Sequence, residues 1–228
     1  MASKAVILPR SLSDPIQWDK LIDKYRSFRL SALDLSPQSF SSTYAEEVEL
    51  PKEKWEARFS NPLVVNIVIV SNPDTGSVSD LSLILNSPWL ASLVSCGPFD
   101  AMTAAKTWEQ QQNFEPGCLD FGPLGTDIKW AYVLNAIYVP PLQRRKGLAN
   151  RLIEYAKQFV AGTHDENKVM LVLIVNFESV AAMKCYEKSG FGLVHDYWFI
   201  ESDSTKGHAA VMRLDVKGDD TTNKSSIP

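Results

Sequence analysis

Apolar residues along the chain recur at two spacings, and each spacing predicts a different element. Ser13-Asp14-Pro15 is a helix start, a capping side chain followed by proline at the first helical position. Trp18, Leu21, Ile22, Tyr25 and Phe28 then recur at helical spacing until Pro37 ends the helix. A second helix is expected within 51–59, with Trp55 and Phe59 on one face. Ala5–Leu8, Val64–Val70 and Leu90–Ser95 are apolar, partly β-branched runs that predict strands. Between the last two lies a stretch, 72–88, that includes the strong turn Asn72-Pro73-Asp74-Thr75-Gly76. Residues 97–129 are the least regular: Gly97-Pro98, Pro116-Gly117 and Gly122-Pro123 interrupt them, and only 100–114 is compatible with a helix. This segment, 98–129 in particular, is read as a long excursion over the body of the fold.

From Trp130 the pattern tightens. Trp130–Val139 reads as a strand and 147–160 as an amphipathic helix carrying Leu148, Leu152, Ile153, Ala156 and Phe159. Val169–Val175 is a continuous apolar strand of the kind buried on both faces. Ser179–Ser189 predicts a helix stopped by Gly190. Two final strands, Gly192–Glu201 and Ala209–Val216, precede a polar tail expected to be disordered from Lys217 onward. No internal repeat or linker divides the chain. The order strand, helix, strand, helix, strand, strand predicts an α/β (α+β) fold, a mixed sheet with helices on both faces.

Composition narrows the function classes. At 228 residues and 45% hydrophobic, the chain suits one large globular domain. A net charge of −4 opposes a nucleic-acid partner, which would require an excess of Lys and Arg on one face. No window approaches the roughly 20 apolar residues of a membrane span, and the N-terminus lacks the apolar core and cleavage site of a signal peptide. Cys96, Cys118 and Cys185 are odd in number and far apart, which points to buried thiols in a reducing, cytoplasmic setting and to no metal site. The sequon at Asn223 falls in the polar tail and is read as accidental.

The informative segment is Val139-Pro-Pro-Leu-Gln-Arg-Arg-Lys-Gly-Leu-Ala149, between a strand and a helix. A loop running into a helix N-terminus leaves backbone N–H groups unpaired, and with the helix dipole they form a site for a phosphate or pyrophosphate. Gly147 lets a ligand approach the backbone, Ala149 is small where the first helical turn packs, and Arg144, Arg145 and Lys146 add charge. The bland alternative is a solvated basic helix start. Neither GxxxxGK[ST] nor GxGxxG occurs.

The spacing Val139-x-Pro141-x-x-Arg144-x-x-Gly147-x-Ala149 resembles the acetyl-CoA signature of the GNAT acetyltransferase superfamily, Val-x-Pro-x-x-Arg/Gln-x-x-Gly-x-Gly/Ala. One strand later, Ala182-Met-Lys-Cys-Tyr186-Glu-Lys-Ser-Gly190-Phe191 is similar to that family's Ala-x-x-x-Tyr-x-x-x-Gly-Phe. Two motifs in the right order, on the right elements, make the resemblance specific from Trp130 to about Phe199, and the run from Phe28 to Glu47 looks like the opening helices of one GNAT subgroup. The resemblance implies the GNAT fold over 1–216, a mixed, mostly antiparallel twisted sheet of about seven strands flanked by helices.

It also implies transfer of acetyl from the cosubstrate acetyl-CoA to a primary amine, by direct attack in a ternary complex. The pyrophosphate would sit on the amides of Arg144, Arg145, Lys146, Gly147, Leu148 and Ala149, and the pantetheine along Ile137, Tyr138 and Val139. The Val139 amide would hold the oxyanion. Tyr186 would protonate the departing thiolate, a phenol of pKa roughly 10 being close to an alkyl thiol. Ala182 opens the second motif, and Ser179 stands where the family commonly has Asn. Ser179 is expected to cap the helix, with Asn176 substituting in part for the lost cofactor contact.

The strand 130–139 contains no Glu or Asp, where many members place a general base. Glu46, Glu47, Asp127, His195 or a relayed water remain as alternatives. His195 and Asp196 are neighbours on a strand and so point to opposite faces, which opposes a dyad. Two readings compete with an enzyme: a non-catalytic acyl-CoA-binding module and, through the basic cluster at 144–146, a nucleic-acid-binding surface. The acceptor amine is not legible, and the last two strands allow a homodimer.

Overall fold

A computed structural model describes residues 2–72, 78–164, 167–200 and 206–217. Seven strands form one sheet in the order β1-β2-β3-β4-β5-β7-β6. They are β1 (Ser3–Ile7), β2 (Val64–Ser71), β3 (Trp89–Asp100), β4 (Ile128–Tyr138), β5 (Lys168–Asn176), β6 (Gly192–Ile200) and β7 (Lys206–Lys217). β4 and β5 are parallel, joined through the helix α6 (Leu148–Thr163), while β1–β2, β2–β3, β5–β7 and β6–β7 are antiparallel. The predicted mixed sheet is therefore present. The chain clusters into two compact units, residues 1–96 with 134–153, and 97–133 with 154 onward.

In the first unit, Asp14 caps α1 (Pro15–Leu35) as its sequence requires, its Oδ1 accepting the N–H of Ile16 at 2.9 Å. The helix stops at Leu35 because the residue before Pro37 is driven out of helical geometry, and Ser36 lies at φ −152°. Its apolar stripe, Leu21 and Ile22 with Trp18, Tyr25 and Phe28, packs on β1, β2 and the helix α3 (Lys52–Ser60), whose Trp55 and Phe59 are fully buried. The short helix α2 (Tyr44–Val48) lies at the end of the run likened to opening helices, and a second short helix, α4 (Asp80–Asn86), escaped the sequence reading. Each is shorter than the window that reveals a helical period, although Thr43-x-x-Glu46 is a capping box and closes as one: Thr43 Oγ1 accepts the N–H of Glu46, and Glu46 Oε2 accepts that of Thr43. The turn residues 73–77 lie outside the described residues.

α2 exists to deliver Glu47. This carboxylate is buried and receives Arg29 at 2.8 Å and Arg58 at 2.9 Å, one guanidinium from α1 and one from α3. Burial alone would raise its pKa, but the hydrogen bonds and charges of the two arginines outweigh that and hold it below the usual carboxylate range. Three helices are locked by one charge.

In the second unit, β5 pairs with β7 along its whole length, from Lys168↔Lys217 to Asn176↔Ala209. β6 then returns along β7 as the edge strand, with a register shift between Leu193 and His195. The expected excursion begins later than the sequence indicated, because β3 runs on through Gly97-Pro98 to Asp100. Glycine is required at 97: a Cβ there would lie 2.7 Å from the Ala131 carbonyl oxygen. The helix α5 (Ala104–Gln112) follows, and the irregular remainder is tied down by specific groups. The buried Glu109 carboxylate accepts the N–H of Gly117 (3.0 Å) and Leu119 (2.7 Å), and Arg213 on β7 donates to the carbonyls of Phe121 and Pro123. The helix α7 (Val180–Lys188) ends before Gly190, at φ +96°. The tail, 218–228, lies outside the described residues.

Replacing Glu47 by Gln should destabilise the protein by about 3 kcal/mol in urea denaturation, since two partly buried guanidinium groups lose their counter-charge. Because the folded carboxyl titrates below its unfolded value of roughly 4.3, its contribution is complete above that pH and lost as pH falls through the folded value. Wild-type stability should therefore drop below about pH 4 more steeply than that of the Gln variant. Parallel acid profiles for the two proteins would contradict this.

Candidate active site

The loop Val139–Gly147 joins β4 to α6 within the first unit. Pro140 and Pro141 supply no N–H, and the chain tightens into a single 3-10 turn in which Gln143 and Arg144 donate to the carbonyls of Pro140 and Pro141. Two left-handed residues follow in quick succession, Arg145 at φ +63° and Gly147 at φ +72°. From there into α6, the N–H groups of Arg145, Lys146, Gly147, Leu148 and Ala149 have no protein acceptor among the described residues. This is the donor-lined helix start that the sequence predicted. A Cβ at Gly147 would meet no protein atom within 4 Å, so the backbone turn demands glycine and the space before the amides is open.

The three basic residues divide the work unequally. Arg144 points back: its Nε donates to the Val139 carbonyl (3.1 Å) and its Nη2 to the Ser36 hydroxyl (2.7 Å). Its guanidinium fixes the loop. Lys146 donates to the Gln143 side chain at 2.8 Å, while Arg145 is exposed. Ser36 was invisible as a loop anchor because it lies 108 residues from its partner. Ile137 and Tyr138 close β4 and Val139 follows it. Tyr138 is buried between the rings of Phe28 and Phe40, so only its backbone is offered outward.

In the second unit, Asn176 ends β5 by a tight turn. Its Oδ1 accepts the N–H of Glu178 (2.8 Å) and its carbonyl that of Ser179 (2.9 Å). Ser179 occupies the cap position of α7 but makes no side-chain cap bond, contrary to the sequence reading, because the Asn176 turn already sets the entry to the helix. Ala182 donates its N–H to the Ser179 carbonyl. Tyr186 is buried in α7 against Phe191. Burial, with Cys185 adding to it, pushes the phenol well above the value of a free tyrosine. The raised value leaves the phenol protonated, the form a proton donor requires.

The four candidate bases each have a partner. Glu47 is held by Arg29 and Arg58, Glu46 by its capping box, and Asp127 by Lys168 at 2.8 Å. The ring of His195 meets the Cys118 carbonyl at 3.0 Å. Asp196 turns to the opposite face, as the alternation on a strand requires, and pairs with His208 at 2.7 Å. Among the described residues, no group of His, Cys, Asp or Glu is placed to hold a metal ion, and no helix is long and apolar enough to cross a membrane.

These features fit what comparison finds. Residues 117–191 match the acetyltransferase (GNAT) family, a segment that contains both motifs. No curated protein matches the chain. Among solved structures, Arabidopsis thaliana NAA60 in complex with acetyl-CoA superposes with a TM-score of 0.55 at 11% identity, covering 93% of this chain and 99% of that one. A GNAT-family acetyltransferase of Streptococcus pneumoniae gives 0.56 at 13% identity, over 93% of this chain and 99% of its own. The spermidine/spermine N-acetyltransferase SpeG of Vibrio cholerae, in mutant form, gives 0.53 at 12% identity, over 94% and 95%. At such identities the likeness is one of fold. The chain has the GNAT fold, and its segment 117–191 matches the model of the acetyltransferase (GNAT) family.

If Arg144 fixes the loop through Ser36, truncating both should cost less than the sum of the single losses. A double-mutant cycle of Arg144→Ala and Ser36→Ala, read by chemical denaturation, should give a coupling of about 1 kcal/mol. A cycle that closes at zero would leave the loop anchored elsewhere.

Proposed function

We propose that this chain is an N-acetyltransferase, a domain over 1–216 that moves acetyl from acetyl-CoA to a primary amine in a ternary complex. The observation that carries the reading is the run of unpaired amides from Arg145 to Ala149 at the start of a 16-residue helix. Donors and dipole together favour a doubly charged pyrophosphate, and the open space before Gly147 admits it. Arabidopsis NAA60, which shares the fold, binds acetyl-CoA. Pantetheine would pair with the backbone of Ile137, Tyr138 and Val139, and the Val139 amide would polarise the thioester carbonyl. The C–N bond forms as the amine attacks; the C–S bond then breaks, and Tyr186 delivers a proton to the sulfur.

The raised phenol pKa shapes the last step. Burial keeps the proton on Tyr186 until the C–S bond breaks, when it passes to the sulfur. Asn176, Ser179 and Ala182 border the start of α7 and are assigned to the cofactor on the motif alone. One observation favours a second reading, a non-catalytic acyl-CoA-binding module: β4 carries no carboxylate, and Glu46, Glu47 and Asp127 are all engaged. Release of free thiol from acetyl-CoA in the presence of an amine panel separates the two.

Acetyl-CoA should raise the melting temperature of the protein, because it binds the native state alone, and Gly147→Asp should abolish the shift by setting a carboxylate against the pyrophosphate. An unchanged melting temperature at many times a micromolar concentration would remove the cofactor assignment.

Tyr186→Phe keeps the ring and deletes the hydroxyl. Acetyl-CoA affinity should be retained, while kcat should fall about ten- to a thousandfold on any amine that turns over. Wild-type kcat in the Phe variant, with chemistry limiting, would return Tyr186 to a packing role and leave water as the proton source.

A further inference from the structure

The second unit contains a histidine that the proposed mechanism leaves unused and that packing alone does not explain. His208, on β7, pairs across the hairpin with Trp198 on β6, and the two rings are stacked at 4.2 Å with planes 2° apart. On another side the Phe177 ring stacks at 4.2 Å and 14°. Its Nε2 meets Asp196 Oδ2 at 2.7 Å, and Nδ1 has no partner among the described residues. Two rings and a carboxylate therefore fix the imidazole in plane and in orientation.

The chemistry of that arrangement is specific. A carboxylate accepts but does not donate, so Nε2 carries the hydrogen and the neutral ring presents its lone pair at Nδ1. The location is specific as well. The Phe177 N–H donates to the His208 carbonyl (2.9 Å), and Asn176 pairs with Ala209, so His208 stands at the end of β5, where the strand turns into the helix that bears Tyr186. The dyad and the start of α7 thus meet at one strand end within one unit.

We propose that His208 is the general base of the acetyl transfer, with Asp196 as the residue that positions it; this rests on the N-acetyltransferase reading above. His208 Nδ1 takes a proton from the ammonium form of the acceptor, and the free amine attacks the thioester carbonyl carbon. The tetrahedral adduct expels the CoA thiolate, which takes the Tyr186 proton. The second nitrogen proton of the adduct returns through solvent to Tyr186, and His208 releases its own to water. The sum is amide, CoA thiol and one proton. The exposed Trp198 ring and the Asp196 carboxylate beside it also favour a cationic acceptor over a neutral one.

The charged side chains within two positions of the ring or its cross-strand and turn neighbours are Asp196 on β6, Lys206 two positions before it on β7, and Glu178 in the turn after Phe177. The test is the pH dependence of kcat for wild type, His208→Gln and Asp196→Asn, with spermidine and a free-amine peptide as the acceptor probes. A base that acts only when neutral gives a wild-type rate that declines toward acid. His208→Gln should lose that acid limb and about a hundredfold in kcat while keeping the melting shift with acetyl-CoA. Asp196→Asn should lose about tenfold or more in kcat, because its amide no longer dictates which ring nitrogen holds the hydrogen. A His208→Gln protein with wild-type kcat, or with a reduced kcat but an unaltered acid limb, overturns the proposal. If that variant does not fold, an Asp196→Asn protein with an unchanged profile overturns it. A wild type that binds acetyl-CoA but turns over neither probe counts against the catalytic reading itself, and the assignment of His208 falls with it.

Discussion

A helix cannot satisfy its own first N–H groups, and the start of α6 depends on leaving that debt open. Five successive amides face no protein acceptor among the described residues, and the loop that delivers them contains a non-glycine residue, Arg145, in the left-handed region. Such a backbone costs on the order of 1–3 kcal/mol and persists only where its surroundings over-determine it. Here they do. Two prolines stiffen the entry, the Arg144 guanidinium binds Val139 and Ser36, and Arg151 one turn into the helix donates twice to Ser3 on β1. The strain is consistent with a loop shaped for an anion rather than for its own stability.

The same economy governs charge. The buried carboxylate at Glu47 attracts two arginines and fastens three helices, which removes it from acid–base work. Glu109 is buried too and spends both oxygens on the N–H groups of Gly117 and Leu119, which organises the segment after α5. Groups that are fully committed in this way cannot shuttle protons, because protonation would strand their partners. Tyr186 is the contrasting case, a buried side chain that no ion pair commits and whose proton burial retains.

Much of this was legible along the chain, and the failures have physical causes. Long periodic segments declared themselves: α1 with Asp14 and Pro15 at its start, the apolar run of β5, and Gly190 after α7. The amide cluster followed from a loop meeting a helix. What was not legible depended on partners distant in sequence. Nothing near Arg144 announces Ser36, 108 residues away. Ser179 looked like a cap because the Asn176 turn that replaces it requires knowing where β5 stops. The pairing of Asp196 with His208 needed the register of β6 on β7, and the shift between Leu193 and His195 hides that register from simple counting.

That shift also bears on where a base can reside. Without the extra residue at Val194, the side chains on β6 beyond it would exchange faces. Asp196 and Trp198 would then lie beneath the segment that Arg213 and Glu109 hold, and His195, Tyr197 and Phe199 would take the open face. With the bulge in place, His195 is spent on the Cys118 carbonyl, whereas Asp196 and Trp198 share a face with His208. A single inserted residue thus decides which histidine of the hairpin is structural and which is left with a free ring nitrogen among the described residues. A strand such as β4 with no carboxylate does not by itself imply loss of catalysis, because a sheet can supply a proton acceptor from another strand once its register brings a carboxylate and an imidazole together.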